Sequence, residues 1–216
     1  MKLLMLVWGC KRDRLNGRIG VNRATWIKEW GDLIDYKIVL GRGNDIPLAD
    51  ELVVDEDDGY MGIIYKQRAA YRWALERGYD HVFIGANDIY RVVPLILASG
   101  FEQHDYVGRG CEAGYAGGPG YILSRKAIEA ILSVPITADY ADRQDGYALA
   151  AHGIPLHHDE RYWNPPYWDH WFKPAAEFWK AGTFVVNVGR GVGNFDPQWM
   201  HECHLSYLEY ALCPSG

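Results

Sequence analysis

The sequence predicts an α/β fold in a single domain, and three observations carry that expectation. Apolar runs of strand length, Lys2–Trp8, Tyr36–Leu40 and His81–Ile84, alternate with stretches of helical period, the pattern of an α/β sandwich. Of the 216 residues, 49% are hydrophobic, enough for one sizeable core. The run His81–Ile84 breaks at Gly85 and delivers Ala86-Asn87-Asp88 at its carboxyl end, where open α/β sheets bind their ligands. Asp88 reads either as a working carboxylate or as the N-cap of a following helix, since aspartate is a favoured cap.

Taken in order, Lys2–Trp8 is the first buried strand, and Gly9–Gly20 a polar loop carrying Lys11, Arg12, Arg14 and Arg18. A helical run covers Arg23–Gly31, and the strand Tyr36–Leu40 ends at Gly41-Arg42-Gly43. The short strand Glu51–Val54 runs into Asp55-Glu56-Asp57-Asp58, and a helix over Tyr60–Arg77 stops at Gly78. After the His81–Ile84 strand come a helix near Val92–Ala98 and the Gly-rich run Ala116–Ser124, whose glycines permit close backbone approach. Ser124 can cap a helix over Arg125–Ser133, and Asp139–Gly153 holds a short amphipathic helix. The tail is rich in His and Trp, with a strand at Phe184–Val188 and a helical run from His204. No repeat, low-complexity segment or linker divides the chain.

Composition excludes some function classes. Net charge is −6, with 28 acids against 22 Lys plus Arg, which does not fit a basic nucleic-acid coat. The four cysteines are scattered without a CxxC pair, so a zinc site or disulfide framework is not expected and reduced thiols are. The apolar stretch KLLMLVW is one strand long and leads into charge. It is too short for a membrane span or signal segment, which reads as a soluble, cytoplasmic protein without a membrane partner.

Three constellations could carry chemistry. Gly189-Arg190-Gly191-Val192-Gly193 follows a strand, but Asn194-Phe195-Asp196-Pro197 should not open a helix, so a dinucleotide fingerprint is rejected. His157-His158-Asp159 and His201-x-x-His204 offer imidazole and carboxylate to a divalent ion, against the plainer reading of surface or packing histidines. The run Tyr162–Phe172 holds Trp163, Trp168 and Trp171 around two prolines. Its rings serve either as a stacking platform on the acceptor side or as a latch over the core.

Several motifs also fall in the order of a known group. Arg23-Ala24-Thr25-Trp26, the strand ending Leu40-Gly41, Glu51 with Asp57-Asp58-Gly59-Tyr60 and Lys66, Ala86-Asn87-Asp88, Gly117–Ser124, Gln144-Asp145 and His201-x-x-His204-Leu205 together resemble the Fringe-like and β-1,3-galactosyltransferase-like inverting glycosyltransferases. Two departures stand out. The metal-binding triplet keeps only its third acid, and Gln144 replaces the Glu of the Glu-Asp pair. The secretory members' membrane anchor has no counterpart either.

The resemblance implies the GT-A fold, one Rossmann-like domain with a mixed, mostly parallel central sheet flanked by helices. Its donor-binding half would span about residues 1–100 and its acceptor and catalytic half about residues 101–216. It implies metal-dependent, inverting transfer from a nucleotide sugar, a UDP-sugar first, to the hydroxyl of a glycan or other acceptor. Mn²⁺ or Mg²⁺ would be held by Asp88 with His204, or else His201, and would neutralise the departing diphosphate. Asp145 would be the general base, although it could instead cap a helix over Gly146–His152. Asp57, Lys66 and Asn87 would belong to the donor pocket, with Arg18 and Arg23 on the diphosphate and Gly118 and Tyr121 on the substrate. Two other expectations stay open: a non-catalytic nucleotide-sugar or glycan-binding module, and a transferase acting on hydroxylated bases in modified DNA.

Overall fold

The computed structural model describes residues 1–163, 175–190, 194–195 and 197–212, and Trp168 and Trp171 lie outside them. In chain order the elements are β1 (Leu3–Trp8), α1 (Lys11–Leu15), α2 (Arg18–Asn22), a π-helical turn over Arg23–Ile27, α3 (Lys28–Trp30), β2 (Asp35–Leu40), β3 (Glu51–Val53) and α4 (Ile63–Glu76). Then follow β4 (His81–Ala86), β5 (Ile89–Arg91), α5 (Val93–Leu97), β6 (Tyr106–Gly110), β7 (Ala116–Ser124), α6 (Arg125–Ser133) and α7 (Ala141–Ala151). The tail contributes β8 (His157–His158), β9 (Tyr162–Trp163), α8 (Ala175–Lys180), β10 (Val185–Asn187), β11 (Gly189–Arg190), β12 (Asn194–Phe195) and α9 (Pro197–Leu212).

A seven-stranded sheet runs in the order β3-β2-β1-β4-β7-β6-β8. The first four strands are parallel, β7 is antiparallel to both β4 and β6, and β6 is parallel to β8. This is the mixed, mostly parallel α/β sheet flanked by helices that the sequence predicts. Its central strands are apolar throughout because both faces are covered. In β1, Leu3, Met5 and Val7 enter one core while Leu4, Leu6 and Trp8 enter the other. The first core lies under α2, α3, α8, α9 and a three-stranded sheet ordered β5-β10-β9; the second lies under α4, α6 and α7.

Several local expectations hold and others fail for identifiable reasons. Ser124 caps α6, its hydroxyl accepting the Ala127 N–H at 3.2 Å. The segment Gly9–Gly20 is not a loop but contains α1 and the start of α2. Its first turn is capped from far away, because the Lys11 N–H donates to the Asp58 carboxylate at 2.6 Å. The helix read at Arg23–Gly31 is broken at Thr25 (φ −114°, ψ −110°), whose hydroxyl donates back to the Val21 carbonyl at 2.7 Å and so competes with the backbone. Pro197 does open a helix, α9, and the final helix starts there rather than at His204. Proline suits that first position, where its missing N–H would have no helical partner. Both cap readings also fail: Asp88 is followed by β5, and Asp145 lies inside α7.

Candidate functional site

Strand order reverses beside β1: β2 and β3 lie to one side and β4 to the other. Connections from the two sides leave over opposite faces, which opens a crevice at the carboxyl ends of β1 and β4. The residues delivered there are Gly9–Asp13 after β1 and Asn87-Asp88 after β4.

Hydrogen bonds knit these ends together. Asn87 is buried; its Nδ2 donates to Asp13 Oδ2 at 2.9 Å, and its carbonyl accepts from Asn22 Nδ2 at 2.7 Å. The Cys10 thiol also donates to Asp13 Oδ2, at 3.1 Å. Asp13 Oδ1 is buried and accepts no hydrogen bond from the described residues, with Arg18 Nε 4.0 Å away. Asp88 follows at the mouth of this cluster, half-buried. Burial raises its carboxyl above the ordinary aspartate range; its own backbone N–H and the charges of Arg18 and Arg91 oppose the rise, and Asp13 adds to it. The turn is pinned from behind, because the Val188 N–H donates to the Asp88 carbonyl at 2.8 Å. Gly189 packs so closely that a Cβ there would overlap Asp88 Oδ2.

Arg91 is the neighbour that sequence reasoning missed. It is fully buried, donating from Nη1 to the Ile89 carbonyl at 2.8 Å and from Nη2 to the Ala86 carbonyl at 3.0 Å. Its guanidinium lies over the rings of Trp26 and Phe83, at 5.1 and 5.2 Å. Burial lowers its pKa to about 9, with Asp88 opposing. A positive charge thus sits behind the Asn87-Asp88 turn. The only hint in the sequence is an arginine inside the apolar stretch IYRVV.

A second knot closes the β2 side. Asp58 accepts from the N–H groups of Lys11 and Gly41, both at 2.6 Å, and from Asn44 Nδ2 at 3.2 Å. Buried Lys66 donates to the Gly9 carbonyl at 2.9 Å and reaches Asp58 Oδ1 at 3.4 Å. Burial alone would raise the Asp58 carboxyl; those backbone donors, Lys66 and Asn44 outweigh it and hold the group below the usual range. Lys66 is therefore a buried tie between the loop after β1 and the segment after β3. The engaged acid is Asp58, while Asp57 is exposed and, among the described residues, accepts only the local Gly59 N–H at 3.1 Å.

Other predicted residues lie elsewhere. Arg23 is committed to Asp50, at 2.8 and 2.9 Å, and to buried Glu51 at 2.8 Å. A guanidinium held by two carboxylates is not presented to a diphosphate. His204 Nδ1 shares a 3.1 Å hydrogen bond with Tyr90 Oη, and its ring stands edge-on to Trp30 and Tyr90. Burial lowers its pKa, and the charges that reach it are Glu29, His201 and Lys28. Asp88 is not among them. His201 is exposed on α9. Among the described residues no three of His, Cys, Asp and Glu gather as a metal cluster.

Asp145 is 1% exposed, inside the layer between α4, β7 and α7. Its Oδ2 accepts from Gln67 Nε2 at 2.5 Å, Tyr71 Oη at 2.6 Å and Tyr121 Oη at 2.9 Å. Burial raises its pKa to about 7 against those hydrogen bonds. Tyr121 is thus a core residue, whereas Gly118 is exposed at the start of β7. Gln144 binds the preceding loop, its Oε1 accepting from Thr137 N at 2.7 Å and Ala138 N at 2.9 Å. Trp163 packs on Phe178 and Trp199, with ring centroids 4.6 and 6.4 Å apart, the arrangement of a latch.

No protein-family model matches the sequence, and no curated protein matches it. The fold does have solved counterparts. The crystal structure of a glycosyltransferase involved in the glycosylation of the major capsid of PBCV-1 superposes with a TM-score of 0.53 at 8% identity, over 96% of this chain and 100% of that one. A197 from STIV matches at TM-score 0.43 and 14% identity, over 72% of this chain and 80% of that one. A cytidylyltransferase from Leptospira borgpetersenii serovar Hardjo-bovis matches at 0.44 and 12%, over 75% and 78%. No helix among the described residues is long and apolar enough to cross a membrane. The chain shares the Rossmann-like α/β fold of the PBCV-1 glycosyltransferase along nearly its whole length.

Proposed function

We propose that this protein is a glycosyltransferase that binds a nucleotide sugar, a UDP-sugar first, in the crevice between β1 and β4 and passes the sugar to a hydroxyl of a glycan. The observation that carries the reading is the meeting of Asp13, Arg18, Asn87 and Asp88 at the point of strand reversal. Buried polar groups bonded to one another at that point are what a charged, polar ligand needs. The inverting, Fringe-like course and the metal requirement belong to this proposal.

A divalent ion is the cofactor the resemblance implies, and the acids fit it while the histidines do not. Asp88 offers a half-buried carboxylate at the crevice mouth, and behind it Asp13 Oδ1 is a buried oxygen with no hydrogen-bond donor among the described residues. Hard cations such as Mg²⁺ or Mn²⁺ take oxygen ligands of this kind. His204 is occupied by Tyr90 and aromatic packing. Bound there, the ion would supply Lewis-acid neutralisation of a diphosphate. The chain's own part is to hold the turn: Arg91, Asn22 and the Val188 N–H fix the Asn87-Asp88 backbone, and Arg18 adds positive charge beside it.

The test is release of nucleoside diphosphate from a panel of nucleotide sugars, with and without Mn²⁺. Turnover that needs the metal is expected. Asp88→Asn should weaken Mn²⁺-dependent binding of UDP by about 100-fold or more, as losing a ligand or its support does, with the melting temperature kept. Binding of UDP by the variant with wild-type affinity and metal dependence would remove Asp88 from the site.

A further inference from the structure

We infer that Asp142, rather than Asp145, is the base that takes the acceptor's proton, with Tyr60 and Tyr140 holding the acceptor sugar beside it. The inference rests on the glycosyltransferase reading above and deepens it.

Position is the first argument. Strand β7 runs antiparallel to β4 with Tyr121 opposite Ile84, so residues before Tyr121 lie progressively toward the carboxyl end of β4. Gly117, at the start of β7, therefore lies beyond Ala86, the last residue of β4. The Asp142 side chain occupies the space beside Gly117: a Cβ there would come 2.6 Å from Asp142 Oδ2. A side chain at position 117 would displace that carboxylate. Asp142 is thus at the same edge of the sheet as Asn87 and Asp88. Asp145, one helical turn on, lies level with Tyr121 and inside the layer.

Access is the second argument. A base must come within about 2.6–3.2 Å of the hydroxyl it deprotonates. Asp145 is sealed, its Oδ2 taken by Gln67, Tyr71 and Tyr121, and it could meet an acceptor only if α7 left β7. Asp142 is half-buried at the first turn of α7, with Oδ1 accepting the Arg143 N–H at 2.8 Å and Oδ2 facing Gly117. Burial raises its pKa, opposed by backbone N–H groups and by Arg143, and a carboxylate poised nearer neutrality is the stronger base.

The surroundings supply the third. Tyr140, the residue that opens α7, meets Tyr60 edge-on with centroids 6.4 Å apart, and the Arg143 guanidinium lies 5.4 Å over the Tyr140 ring. Tyr60 is 65% and Tyr140 45% exposed. An exposed aromatic pair with hydroxyl edges, its Tyr140 two positions before Asp142 in the chain, offers a sugar ring an apolar face and polar partners together.

The step balances as follows. Asp142 accepts the proton of the acceptor hydroxyl, and that oxygen forms a bond to the anomeric carbon. The bond from the anomeric carbon to the diphosphate oxygen breaks, its electron pair leaving with the nucleoside diphosphate. The proton on Asp142 is later lost to water.

The experiment compares wild type, Asp142→Asn, Asp145→Asn, Tyr60→Ala and Tyr140→Ala. Donors are UDP-glucose, UDP-galactose and UDP-N-acetylglucosamine, acceptors a panel of p-nitrophenyl glycosides, and UDP binding is followed by calorimetry. Asp142→Asn keeps the Oδ1 acceptor for the Arg143 N–H; its kcat should fall by roughly 10²–10⁴-fold with UDP affinity unchanged. Formate added to Asp142→Ala should restore part of the rate, a response that a purely structural role would not give. Asp145→Asn should transfer within a few-fold of wild type. Because they are exposed, Tyr60→Ala and Tyr140→Ala should leave the fold intact and raise the acceptor KM about tenfold at constant kcat. An Asp142→Asn rate within tenfold of wild type, or an unchanged acceptor KM in both tyrosine variants, overturns the inference and leaves the transferase reading standing. A wild-type protein that releases UDP from none of the three donors overturns this inference for those donors; if it also fails with the full nucleotide-sugar panel, the transferase reading falls too.

Discussion

Asp145 shows how a buried carboxylate sets the pH response of the whole fold. Its pKa is near 7 in the folded chain against an ordinary 3.8. Below about pH 4 both folded and unfolded states hold the proton. Between about pH 4 and 7 the folded state keeps a proton that the unfolded state has lost, so stability falls as pH rises through that window and levels off above it. Asp88 and Asp142, also raised by burial, add with the same sign. The expected outcome is that Asp145→Asn flattens the fall by up to about 1.4 kcal/mol per pH unit, read from urea midpoints at a series of pH values. A slope unchanged by the substitution would show that Asp145 titrates as an ordinary aspartate. The sequence placed this residue by its order among motifs, and its burial was not legible there. Its partners Gln67, Tyr71 and Tyr121 come from α4 and β7, and nothing near position 145 announces them. Arg23 and His204 were misplaced for the same reason, since Asp50, Glu51 and Tyr90 claim them through tertiary contacts.

Elements with their own periodicity were readable; elements made by distant partners were not. The strands β1, β2 and β4 and the helices α4 and α6 announce themselves by apolar runs, by helical spacing and by the Ser124 cap. Helix α1 exists because Asp58 caps it from 47 positions away, and a five-residue helix has little stability without such help. The two prolines of the run Tyr162–Phe172 left its rings open to two readings, a platform or a latch over the core. Trp163 packs against the first core with Phe178 and Trp199. Trp163→Ala is therefore expected to cost about 2–4 kcal/mol, somewhat below the figure for a fully buried ring, and to leave KM for donor and acceptor unchanged. Denaturant unfolding together with steady-state kinetics checks this. A rise in acceptor KM without loss of stability would return Trp163 to the acceptor side.

At the scale of the whole molecule, the crevice is where separate parts of the chain meet at one edge of the sheet. Asp13 follows β1, Asp58 follows β3, Asn87 and Asp88 follow β4, and Asp142 opens α7 beside β7. The alternation of strands and helices predicted this edge as the ligand-binding one, and the Asn87-Asp88 turn was legible as part of it. The identity of the opposing wall was not, because it depends on how α7 packs on β7. A ligand that binds only the folded state stabilises it by about 2.7 kcal/mol at a hundredfold excess over Kd. UDP with Mn²⁺ should thus raise the melting temperature. In hydrogen exchange it should protect amides of residues 9–13, 41–44, 56–60 and 86–89, which share the hydrogen bonds described above, while α6 at the far side of the second core exchanges as before. Asp88→Asn should cut both the thermal shift and the protection to a small fraction at matched ligand concentration, whereas Asp142→Asn, on the acceptor wall, should keep both. Protection confined to α9 and its histidines would instead place the nucleotide on the first core's outer face, away from the strand reversal.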